Sequence, residues 1–82
     1  MNKTILIIRI EKRKDTAVMV QKILSEWGCL IKTRLGIHDG VLDDCSDDGL
    51  VFLELVGEED KKNQLDMLLA NLPGVKTKLI NI

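Results

Sequence analysis

The residues best suited to chemistry in this 82-residue chain gather in residues 38–49. That stretch holds the only histidine, His38, one of two cysteines, Cys45, and five aspartates, Asp39, Asp43, Asp44, Asp47 and Asp48. Imidazole, thiolate and carboxylate suit zinc or nickel, with His38, Asp39 and Cys45 as donors. No CxxC or HxxxH spacing occurs, so such a site would need a second subunit to complete it. Asp44, Ser46, Asp48 and Gly49 match the opening of a calcium loop, and Val51 its later apolar place. The twelfth position, however, is Leu55, where a bidentate glutamate is required. The stretch therefore reads as an acidic, solvated hairpin connection, with no metal and no cofactor assigned.

Catalysis finds little material. A nucleophile needs a base within reach and a third group to orient that base, and a single histidine in a chain without tyrosine supplies no such set. The adjacent carboxylates Asp43/Asp44, Asp47/Asp48 and Glu58/Glu59 read as solvating pairs. The chain is thus expected not to be an enzyme. Cys29 reads as a small buried hydrophobe. The basic run Glu11-Lys12-Arg13-Lys14 could hold an anion beside a helix N-terminus, or simply be a solvated loop.

Composition narrows the partners. Twelve Lys and Arg against thirteen Asp and Glu leave a formal charge of −1, which argues against direct nucleic-acid binding through a clustered basic surface. Trp27 and Phe52 are the only aromatics, so the base-stacking platform of an RNA-binding sheet is missing. No run approaches the roughly 20 apolar residues of a membrane span. The apolar residues 5–8 are too few for a signal h-region, and two cysteines make no disulfide framework. The expected location is cytoplasmic. At this length residues 1–82 form one domain, which buries only about 60% of its unfolded surface and so gains from oligomerisation.

The elements follow from periodicity. Residues 5–10, Ile-Leu-Ile-Ile-Arg-Ile, form a strand buried on both faces. Asp15 or Thr16 caps a helix whose Ala17, Val20, Ile23, Leu24 and Trp27 recur at helical spacing, with Gly28 as its stop. Ile31, Thr33, Leu35 and Ile37 alternate with Lys32 and Arg34 in a second strand, and residues 50–56 make a third. Acidic residues 58–60 then open a helix with the stripe Leu65, Leu68, Leu69 and Leu72. Pro73-Gly74 ends it before a last strand in which Val75, Thr77 and Leu79 alternate with Lys76, Lys78 and Ile80.

Strand, helix, strand, strand, helix, strand is the α+β ferredoxin-like βαββαβ plan, a four-stranded antiparallel sheet with both helices on one face. The continuously apolar first and third strands belong in its centre, and the lysine-bearing second and fourth at its edges. Both alternating sets of the first strand are largely apolar, so the helix-free face should expose Ile5, Ile7, Leu50, Phe52 and Val56. A patch of that kind marks an interaction surface. Ile5, Ile7 and Phe52 are accordingly expected at a homodimer or tetramer interface formed through the sheet, with Arg9 and Glu54 pairing across strands.

Residues 23–28, Ile-Leu-Ser-Glu-Trp-Gly, 31–37, Ile-Lys-Thr-Arg-Leu-Gly-Ile, and 72–78, Leu-Pro-Gly-Val-Lys-Thr-Lys, give the chain a resemblance to the ACT-like iron-only hydrogenase system regulators. Arg34-Leu35-Gly36 is the most specific part. The resemblance implies a regulatory module that associates through its sheets, resembles the effector half of the nickel-responsive repressor and is linked to hydrogenase maturation or its transcriptional control. It also implies a small effector held at a subunit interface, as in ACT domains. The turn where amino-acid-binding members carry a glycine here reads Glu11 to Thr16, which speaks against an amino acid, and only His38 is available to match the repressor's metal ligands. No helix-turn-helix segment is evident, so transcriptional control would need a partner. The ligand edge is expected at Arg34, holding an anion, Gly36, allowing close approach, and His38 with Asp39, making polar or metal contacts. Two other readings stand beside this one: a structural module docking a protein through its apolar sheet face, and a metal-binding module.

Overall fold

The computed structural model describes residues 3–11, 14–38 and 49–82. Its elements in chain order are β1 (Thr4–Ile10), α1 (Lys14–Glu26), a 3-10 turn (Gly28–Leu30), β2 (Ile31–His38), β3 (Gly49–Leu55), α2 (Glu59–Ala70) and β4 (Val75–Asn81). They form one four-stranded sheet in the order β2-β3-β1-β4, with every neighbouring pair antiparallel. This is the expected ferredoxin-like plan, with the two continuously apolar strands in the middle.

Period-2 alternation on β1 divides the molecule. Leu6, Ile8 and Ile10 are buried and stand beside Leu53, Val51 and Gly49 on β3, and beside Leu79, Thr77 and Val75 on β4. Val20 and Leu24 of α1 and Leu65 and Leu69 of α2 pack into the same cluster, so both helices cover this one face. Thr16 is buried within α1 rather than capping it, because the helix already begins at Lys14. Its Oγ1 instead donates 3.0 Å to the carbonyl of Pro73, tying α1 to the turn after α2. Gly74, with a φ of +73°, supplies the left-handed conformation that turn requires.

Three expectations need correction. The α2 stripe is Lys62, Leu65 and Leu69, and Leu68 is 43% exposed; it stands at the margin of the stripe, in the wall of an open hollow with Trp27 and Met67. A register shift between Ile31 and Thr33 inserts a bulge into β2, so Ile31 faces the helices while Thr33, Leu35 and Ile37 stand on the opposite side. Cys29, in the turn after α1, is exposed rather than buried.

The corrected stripe sets a stability expectation. Leu65→Ala should cost about 2–5 kcal/mol, as a fully buried leucine does, whereas Leu68→Ala should stay within about 1 kcal/mol. Urea unfolding monitored by circular dichroism measures both, and equal losses would contradict the burial pattern.

Candidate functional site

The β2 edge divides by parity. Arg34 is paired with Leu53 and Gly36 with Val51, which places both on the helix-bearing side, and Arg34 Nη2 donates to Gln21 Oε1 of α1. A Cβ built on Gly36 meets nothing within 4 Å. This chain's own packing therefore does not demand a glycine there. His38 ends β2 opposite Gly49. Asp39, Cys45 and the aspartates of the acidic stretch lie outside the described residues, as do Lys12 and Arg13. Arg34 and Gly36 thus share one side of β2, with the arginine already partnered by a neighbouring helix, and His38 is the last residue of the same strand. Among the described residues no group of three or more potential metal ligands converges.

The helix-free face is set by the same register. Its successive rows run Ile37, Leu50, Arg9, Lys76; then Leu35, Phe52, Ile7, Lys78; then Thr33, Glu54, Ile5, Ile80. Seven aliphatic or aromatic side chains therefore form a continuous band, with Leu35 56% and Ile37 49% exposed and Ile5, Ile7 and Phe52 half-buried. Arg9, Lys76 and Lys78 occupy one corner. Sequence periodicity missed the contribution of Leu35 and Ile37 to this band, because the expected strand ran without the bulge. Val56 is exposed but follows the end of β3. Arg9 stands opposite Leu50, and Glu54 opposite Ile5, so those two charges are not cross-strand partners. Glu54 instead accepts a hydrogen bond from Lys3 Nζ at 3.1 Å.

The end of the sheet where β1 begins carries a chain of polar contacts. Lys62, only 7% exposed, reaches from the core-facing stripe of α2 and donates to Thr4 Oγ1 at 2.9 Å and to Glu59 Oε1 at 3.1 Å. Thr4 Oγ1 in turn donates 2.9 Å to Asn81 Oδ1. Beside this chain lies a cavity of about 250 Å³ lined by Lys3, Lys32, Glu54, Leu55, Val56, Gly57 and Lys62. No sequence motif announced it, since its lysines come from three separate segments. A second hollow of about 330 Å³ between the helix ends is walled by Trp27, Gln64, Met67, Leu68 and Asn71.

Neither a protein-family model nor a curated protein matches this sequence. Solved structures do share its fold. An uncharacterized protein, TM1266 from Thermotoga maritima, superimposes with a TM-score of 0.83 at 24% identity, over 100% of this chain and 99% of its own. The ACT domain from the GTP pyrophosphokinase of Chlorobium tepidum gives 0.66 at 16% identity, covering 98% of this chain and 96% of that one. CPII from Thiomonas intermedia K12, a nitrogen regulatory PII-like protein, gives 0.59 at 16% identity over 100% of this chain and 90% of its own. At these identities the likeness establishes the ACT- and PII-like fold.

One charge at this sheet end has a measurable signature. The hydrogen bond from Lys3 outweighs the opposing effect of burial and, with the charges of Lys3 and Lys32 and a hydrogen bond from Thr33, holds the Glu54 carboxyl below its ordinary 4.5. A carboxyl lowered in the folded state stabilises the fold above its unfolded value, and that contribution disappears as pH falls through the folded value. In a carboxyl NMR titration Glu54 should titrate below 4.5 in the wild type and return toward it in Lys3→Met. Unfolding of the two proteins should differ at neutral pH and converge in more acid solution. An unchanged titration in the variant would remove Lys3 as the cause.

Proposed function

We propose that this chain is a non-enzymatic, cytoplasmic regulatory module of the ACT-like kind, which forms homodimers or higher oligomers through its helix-free sheet face and senses a small effector. The apolar band on that face carries the reading. A sheet whose central strands are apolar on both sides, with helices on only one, leaves more contiguous hydrophobic surface than a lone soluble domain ordinarily keeps exposed. A second copy supplies the missing layer, burying on the order of 800 Å² per partner, the size of a standard interface. The ACT- and PII-like fold supports the regulatory role, although function rests on the site rather than on the fold.

The finer assignment, to the iron-only hydrogenase system regulators, is supported by Arg34-Leu35-Gly36 and the flanking segments. Gly36 adds to it: open space over that glycine lets another backbone or a ligand approach the β2 edge, within reach of Arg34. In this reading His38 stands at the end of the same strand. The effector would meet these residues on the helix-bearing side while the sheet face holds the subunits together.

Sedimentation velocity tests the assembly. The wild type should run as a dimer or larger species at about 10 µM, and Leu35→Lys should run as a folded monomer with the circular dichroism of the wild type, because Leu35 is exposed in the single chain, and with a lower melting temperature that no longer depends on concentration. A wild type that stays monomeric to about 100 µM would overturn assembly through this face. It would leave the docking of a different protein there as the remaining use of the patch.

A further inference from the structure

Lys62 occupies a position where the fold asks for an apolar side chain. It stands three residues before Leu65 and seven before Leu69 on the buried stripe of α2, and it is itself buried. An ammonium taken out of water is costly unless paired. Its ion-pair partner among the described residues, Glu59, is 61% exposed in its side chain, so that charge is largely screened by solvent. An ammonium has three donors, and two are used, on Thr4 and Glu59. The same side chain forms part of the wall of the 250 Å³ cavity.

The rest of that wall is consistent in sign. Lys3 and Lys32 join Lys62, and among the described residues Glu54 is the one acid in the lining, already bonded to Lys3. Among the described residues three lysines and Glu54 line the cavity, and Glu59, paired with Lys62 from outside the lining, leaves a surplus of one positive charge; the described lining holds no arginine. Flat, two-pronged recognition of a carboxylate is the strength of arginine, whereas lysine acts as a point charge suited to phosphate oxygens. Gly57, at a φ of +100°, keeps the adjoining β3–α2 turn free of a side chain.

We infer that this cavity binds the phosphoryl group of a small molecule, with Lys62 as its buried anchor and Lys32 and Lys3 as its outer charges. The site lies at the start of β1 and β2, the opposite end of the sheet from His38; Glu54 borders the helix-free face and Lys32 belongs to β2, but no part of the argument uses Arg34, Gly36 or His38. A phosphoryl anion would complement the positive lining and engage the third donor of Lys62.

Amide NMR of the whole chain tests it, with inorganic phosphate and AMP as probes and sodium chloride at matched ionic strength as the control. Saturable shifts centred on Leu55, Val56 and Gly57, absent with chloride, are expected. Equal affinity for both probes identifies free phosphate as the ligand source, and tighter AMP binding identifies an organic phosphate. Lys62→Met should weaken binding by about tenfold or more, and Lys61→Met, an exposed neighbour outside the cavity, should bind as the wild type does. Should Lys62→Met fail to fold, Lys32→Met decides: it lies outside the core and should lose affinity several-fold with an unchanged melting temperature. Absence of saturation with either probe, a folded Lys62→Met or Lys32→Met that binds normally, or shifts centred on Arg9, Lys76 and Lys78 would overturn the site.

Discussion

β1 is hydrogen-bonded along its whole length to β3 on one side and β4 on the other, and this double pairing fixes what every other element can do. Alternation then leaves no freedom: Leu6, Ile8 and Ile10 face one way, and Ile5, Ile7 and Arg9 the other. A slip of one residue would turn Arg9 toward the helices and expose the three core positions. Burial of each large core side chain is worth about 1.5–3 kcal/mol, so the register is strongly held. Helices α1 and α2 must lie over Leu6 and Ile8, since only that side offers the complementary set of Leu53, Val51 and Val75. The second side inherits its apolar character from the same strand and receives no helix.

Much of this was legible in the amino-acid order. Continuous runs of Ile, Leu and Val mark strands that have neighbours on both sides, and the lysines of β2 and β4 mark edges, so strand order could be read before any coordinates. What could not be read depends on single-residue offsets. The bulge near Lys32 changes which face Ile31 occupies, yet Ile31, Thr33, Leu35 and Ile37 look evenly spaced in the sequence. An inserted residue leaves the pattern of residue types intact and alters only the pairing. Arg9 and Glu54 fail to meet for a different reason: β1 and β3 pair without a bulge, and their register sets Arg9 opposite Leu50, four residues from Glu54.

Long-range polar contacts were invisible for a different reason. Thr16 carries the signature of a helix cap, but its hydroxyl is used 57 residues away, at Pro73. Lys62 carries the signature of a solvated helix residue, and leucine counting assigned its place to Leu68. Its aliphatic stem covers apolar surface as a leucine would, while its ammonium reaches the polar end of the sheet. Amphipathic side chains of this kind defeat any reading that divides residues into inside and outside. The β2 edge lay between these extremes: its residue types were legible, while the partnering of Arg34 by Gln21 required the helix to be in place.

The polar sheet end is a unit drawn from three elements, and that is why it bears on function. Thr4 comes from β1, Asn81 from β4 and Lys62 from α2, and each satisfies another through a hydroxyl that both accepts and donates. Loss of any one leaves a buried polar atom without its partner, which costs more than the bond itself contributes. Apolar residues in place of Thr4 and Lys62 would satisfy the fold with less demand on geometry, since a buried polar group is costly unless it is hydrogen-bonded. Packing alone therefore does not account for a buried lysine and a buried threonine meeting at one end of an otherwise aliphatic core, where the exposed Asn81 joins them. The apolar sheet face and this polar end ask for different companions, one a surface and the other a charge, and the register of β1 keeps the two apart.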